Sequence, residues 1–115
     1  MSLKLSLLLI LALPASTTIA ADEPPLSLGW KDNYLTIHGP NLPGGEVRIH
    51  YLEAYCRPGS TKRKWAETTI GHHTKRLDDG HDPKRVELEC TLNDGLIVHH
   101  EIRASADEIS FDITA

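Results

Sequence analysis

The chain has 115 residues, with 16 Asp and Glu against 12 Lys and Arg and a net charge of −4. That length holds one small domain, and a mild, mixed charge excludes nucleic acid as the main partner, because such binding needs a basic surface. The apolar residues are concentrated in the first 20, so the remaining 95 are thin in aliphatics and near the limit for unaided folding.

Residues 1–20 read as a secretory signal peptide. Lys4 gives a positive start, residues 5–13 an apolar run interrupted by Ser6, and Thr18-Ile19-Ala20 a small-x-small cleavage site. Cleavage is expected after Ala20, with Ala21 as the second choice. The run is too short to anchor in a bilayer, which takes roughly 20 apolar residues. The expectation is an exported protein, periplasmic or extracellular, with no stable transmembrane segment. It would have a signal helix over 1–20, a polar mobile segment over 21–25 and a single β domain over 26–115. Export and an even cysteine count favour a Cys56–Cys90 disulfide, which in the chain-entropy picture adds about 3–4 kcal/mol. The alternative is two buried free thiols on separate strands. Neither cysteine has a C-x-x-C neighbour, so no metal site is expected at them.

After Pro24-Pro25, residues 26–30 alternate Leu26, Leu28 and Trp30 with Ser27 and Gly29, which predicts a strand. Lys31-Asp32-Asn33 is a turn, and 34–38 a second strand that completes a hairpin. Residues 39–45 hold two prolines and three glycines and cannot extend it. Residues 46–56 read as one strand whose apolar phase changes near Tyr51–Leu52, the mark of a β-bulge or of burial on both sides. A basic loop over 57–64 precedes a strand over 65–70, and 71–83 reads as a strand end followed by an exposed polar loop. Residues 84–115 give three strands. Val86, Leu88, Cys90 and Leu92 share one face of the first, Asn93-Asp94-Gly95 makes a hairpin turn, and Ile109, Phe111 and Ile113 alternate in the last. With little or no helix beyond the leader, the expected fold is all-β, an antiparallel β-sandwich or partial barrel of about seven strands. The final strand carries no cap or charged tail and leaves an exposed edge, as a strand-pairing surface or a truncated larger domain would.

No catalytic motif is present: there is no P-loop, nucleophile elbow or H-E-x-x-H. Glu53, Glu67, Glu87, Glu89 and Glu101 fall on predicted strands, where glutamates mostly face water. His72-His73 and His99-His100 are adjacent pairs, and neighbours on a strand point to opposite faces, so neither pair chelates one ion. His100 shares parity with Val98 and Ile102, which predicts a partly buried, hydrogen-bonded imidazole. The Asp78–Asp82 run lacks the ligand spacing of a calcium loop and reads as a solvated acidic turn. No cofactor is expected. Trp30, Tyr34, Tyr51, Tyr55 and Trp65 are five of the six aromatic residues. They either fill a core poor in aliphatics or, with polar neighbours, stack on sugar rings. Trp65 follows Arg57, Lys62, Arg63 and Lys64. Trp65, Arg57, Arg63 and Tyr55 are therefore the candidate ligand-binding residues, for an acidic glycan or another anion.

YLEAYCRPGSTKRKW, LECTLNDGLIVHHEI and ADEISFDIT together resemble the early part of exported bacterial β-sandwich proteins. The hairpin with its acidic strand is similar to one in carbohydrate-associated sandwiches of the galactose-mutarotase type. The resemblance covers residues 26–115 in pattern. It implies that the chain supplies part of such a sandwich. That family's catalytic histidine and glutamate have no matching motif here, so no catalytic residue is carried over. The leading expectation is a non-catalytic exported module that binds carbohydrate. Two others stand beside it: a fragment or relative of a carbohydrate-active enzyme, and a structural or envelope protein that pairs with another envelope protein through an edge strand.

Overall fold

Two short polar residues start the fold. Asp32 (φ 51°) and Asn33 (φ 63°) occupy the left-handed region that their side chains tolerate. They form the two-residue turn, with both φ positive, that matches strand twist. This turn joins β1 (Ser27–Lys31) to β2 (Tyr34–His38). The computed structural model that shows this describes residue 14 and residues 25–115. The expected signal peptide and its cleavage site lie outside the described residues, apart from residue 14.

A loop with a 3-10 turn at Pro43–Gly45 leads to β3 (Glu46–His50), which pairs on β2 with Leu35 opposite Ile49 and Ile37 opposite Val47. The strand stops at His50. The amides of Tyr51 and Leu52 both donate to the Asn33 carbonyl, at 3.1 and 3.4 Å, which turns the chain out of the ladder. The phase change at Tyr51–Leu52 is therefore an exit from the sheet, and the single strand expected over 46–56 is two separate pieces. The second piece, β4 (Tyr55–Cys56), pairs with β5 (Thr69–Ile70) as a two-stranded ribbon.

Residues 65–70 are also not one strand. The first four form a single helical turn, α1 (Trp65–Thr68), before β5 begins. The Thr68 hydroxyl, fully buried, lies within reach of the carbonyls of Lys64 (3.3 Å) and Trp65 (3.1 Å), and the Thr69 amide donates to Trp65 O. A threonine that bonds back onto its own turn offers the backbone an alternative to a ladder.

The larger sheet is fully antiparallel in the order β6 (His72–Arg76), β7 (Arg85–Leu92), β8 (Ile97–Ala104), β9 (Ile109–Thr114). β6 replaces the strand end and loop expected there. Its inward positions are His72, Thr74 and Arg76, opposite Leu92, Cys90 and Leu88, and such polar residues carry no hydrophobic period. The core forms where Val86, Leu88, Cys90 and Leu92 meet Val98, Ile102 and Ala104, with Leu28, Leu35 and Leu52 arriving from the first half of the chain. The fold is the expected all-β, sandwich-like arrangement, with nine strands among the described residues instead of about seven and no closed barrel. The extra strands are β4, split from the strand expected over 46–56 and too short to show a period, and β6. Glu53 and Glu67 sit in a turn and in α1, off any strand.

The acidic run over 78–82 is solvated at Asp79, Gly80, His81 and Asp82, but its first residue is not. The Asp78 side chain is only 8% exposed. It accepts two hydrogen bonds from the Arg76 guanidinium, both at 2.9 Å, and one each from the amides of Glu87 (3.0 Å) and Gly80 (3.1 Å). The carboxylate thus takes over an amide of β7 just where β6 ends. Burial alone would raise its pKa, but these donors outweigh burial and hold it at about 2, against an ordinary 3.8. A carboxylate whose pKa is lower in the folded state contributes stability above its unfolded value and loses it as pH falls toward the folded one. Asp78→Ala is expected to cost about 2 kcal/mol in urea unfolding at neutral pH. The wild-type advantage over the variant should shrink as pH drops from about 4 to about 2.

Candidate functional site

Strand alternation decides where each candidate side chain goes. Tyr55 and Cys56 are consecutive on β4, so one points inward and the other outward. Tyr55 reaches the middle of the large sheet, where its hydroxyl lies 2.7 Å from Nε2 of His100. Tyr51, just past β3, approaches the other ring nitrogen, Nδ1, at 2.9 Å. His100 is 4% exposed, and both nitrogens are engaged. A neutral imidazole carries one N–H and one bare nitrogen, so one tyrosine donates and the other accepts. Burial first, and the neighbouring His99 second, lower the His100 pKa and keep it neutral. Burial likewise raises the pKa of Tyr51 and Tyr55, and the neighbouring Cys90 thiol adds to it. Cys90 also meets the Thr74 hydroxyl at 3.5 Å. The ring of His72 stands edge-on to Tyr55 at 5.0 Å, and its buried Nε2 has no hydrogen-bond partner. Among the described residues no three His, Cys, Asp or Glu side chains converge in a metal-binding group.

The same alternation corrects the disulfide expectation. Cys90 is buried and Cys56 exposed, and both are free thiols. Tyr55 takes the inward position on the ribbon, so Cys56 faces away from Cys90.

Among the described residues, depressions open on the surface at several places, and two of them lie beside aromatic rings. The larger, about 420 Å³, lies on the outer face of β1–β3 and includes Gly29, Thr36, Tyr34 and Arg48. Several of its polar groups are already engaged. Arg48 sits 4.0 Å over the Tyr34 ring, Tyr34 stacks on His50 at 4.5 Å, and His38 pairs with Glu46 at 3.5 Å.

The second depression, about 340 Å³, is lined by Cys56, Ser60, Thr61, Arg63, Trp65 and Thr68. The turn of α1 holds Trp65 at its rim, 61% exposed, and among the described residues the ring makes no aromatic or cation contact. Gly59 (φ 80°) supplies the left-handed residue that starts the 3-10 turn Ser60–Lys62 and presents two hydroxyls. Arg57, Lys62, Arg63 and Lys64 have no ion-pair partner among the described residues. Of the four residues picked from sequence, Trp65 and Arg63 meet in this cleft. Arg57 is exposed at the loop's start and does not line it, while its amide holds the Thr68 carbonyl at 2.7 Å. Tyr55 is on the opposite side of the ribbon. Ser60, Thr61 and Cys56 were not legible as site residues, because only the loop's turns bring them beside Trp65. The other tryptophan, Trp30, is half-buried, packs on the core and stands edge-on to Tyr51 at 6.1 Å.

No family model, curated protein or solved structure matches the chain.

A thiol reagent added to the native protein should titrate Cys56 alone, with Cys90 reacting only after denaturation. A histidine whose folded pKa is depressed contributes stability above the ordinary imidazole value of 6.5 and loses it on acidification below that. Urea unfolding of wild type against His100→Gln from pH 8 to 5 should therefore show the wild-type advantage shrinking below about pH 6.5.

Proposed function

We propose that this chain is an exported, non-catalytic β-sandwich module that binds carbohydrate at the cleft between Trp65 and the turn over 59–63. The observation that carries the reading is the exposure of Trp65. A tryptophan ring left 61% open, beside a concave surface with two hydroxyls and an arginine, is the combination that stacks on a sugar ring and fixes its orientation. The unpaired cations at Arg57, Lys62, Arg63 and Lys64 stand on a chain of net charge −4, so their local field favours an acidic glycan. Export rests on the signal-like sequence of residues 1–20. The larger depression is the weaker site, since its ring faces and its arginine are occupied within the sheet.

A glycan array probed with the purified protein is expected to show binding to uronate-bearing or sulfated oligosaccharides, weakened by salt. Trp65→Ala should lower the affinity about tenfold, a change of about 1.4 kcal/mol, with circular dichroism unchanged. Arg63→Ala should reduce binding to acidic more than to neutral sugars. A blank array, or a Trp65→Ala protein that binds as wild type does, removes this reading.

A further inference from the structure

Among the described residues, the sandwich lacks cover along one side. β3 and β9 are edge strands of their sheets, and Tyr51 stacked on Phe111 at 5.4 Å brings the two edges together. The side chains of β3 and β9 that point toward the core remain open to water: Val47 at 40%, Ile49 at 37%, Phe111 at 41% and Ile113 at 56%. These positions are not outer-face residues left apolar by chance. Their strand neighbours on the same face, Leu35, His100 and Ile102, are buried. An exposed apolar patch beside an unpaired backbone edge is a surface for strand addition.

We propose that two copies of this chain pair antiparallel through β9, about a two-fold axis that passes between their Phe111 residues. The register follows from side-chain parity and charge. Inner faces meet only if residues of equal parity oppose one another. With Phe111 opposite Phe111, Ile109 falls opposite Ile113, and Ser110 opposite Asp112, of the second copy. A shift of one pair in one direction sets Asp112 against Asp112, and in the other sets Asp112 against Glu108. Like charges directly opposite are destabilising. β3 is the poorer edge for self-pairing, because full overlap places Arg48 against Arg48. Joining β3 of one copy to β9 of the next would not close and would grow open-ended. The β9 pairing produces one eight-stranded sheet and continues the aromatic row Trp30, Tyr51, Phe111 across the axis. It is independent of the glycan reading, since the Trp65 cleft lies on the β4–β5 ribbon.

Sedimentation velocity of the purified protein across a wide concentration range is expected to show a monomer–dimer equilibrium, shifted to monomer by Phe111→Arg with circular dichroism unchanged. In a Cys56→Ser background, Phe111→Cys should give a disulfide-linked dimer on mild oxidation, because directly opposed Cβ atoms lie about 5 Å apart. Ile113→Cys should not, since each new thiol would face Ile109 of the second copy. A monomer at every concentration, open-ended growth, or equal crosslinking from both positions overturns the proposal.

Discussion

The fold turns on how one imidazole is satisfied. His100 sits in the middle of β8 on the face that forms the core, between Val98 and Ile102. A buried imidazole without partners would lose the full desolvation cost of two polar atoms, about 1–3 kcal/mol each. Tyr51 and Tyr55 supply those partners from a single five-residue segment, one from each side of the ring. That segment is also the passage from the three-stranded sheet to the ribbon. Satisfying His100 therefore fixes where the small sheet ends, how the chain crosses and where the ribbon sits.

The position of Tyr55 then sets the fate of its neighbour. With the tyrosine inside, Cys56 is directed outward, where it lines the Trp65 depression, and Cys90 stays in the core against Thr74. Polar contacts tie the chain together instead. Asp78 gathers four donors at the end of β6, and the tyrosine–histidine array ties the two halves of the chain across 45 and 49 residues of sequence. On the outer face of the large sheet, Arg85 bridges Glu87 (2.7 Å) and Glu101 (3.1 Å), and Arg103 also holds Glu101. These exposed pairs contribute less than the buried ones.

A core this small cannot cover both sheets. The buried cluster is centred on β7 and β8, with β1 and β2 packed over them, and it thins toward β3 and β9. The apolar residues at these edges are present but stay open to water. The open side and the free tryptophan are thus two different departures from a closed sandwich. The first is an apolar face without a cover among the described residues, and the second is a side chain held at the rim of a surface cleft.

The all-β class, the two hairpins around Asp32-Asn33 and Asn93–Gly95, and the inward face of β7 were legible in the sequence, because a period of two and turn residues with permissive φ are local properties. The burial of His100 was legible for the same reason, from its parity with Val98 and Ile102. β6 was not, since His72, Thr74 and Arg76 face inward as polar residues and leave no hydrophobic period. The exit at Tyr51–Leu52 depends on bonds to the Asn33 carbonyl that only the folded chain brings into range, and the helical turn at Trp65–Thr68, a single turn that a threonine closes onto its own carbonyls, is too short to leave a helical period. Tertiary structure alone separated Tyr55 from Trp65, parted the two cysteines, and placed Ser60, Thr61 and Arg63 around the exposed ring. Alternation along a strand is written in the sequence, but which of its two faces meets the core is settled only when the sheets pack.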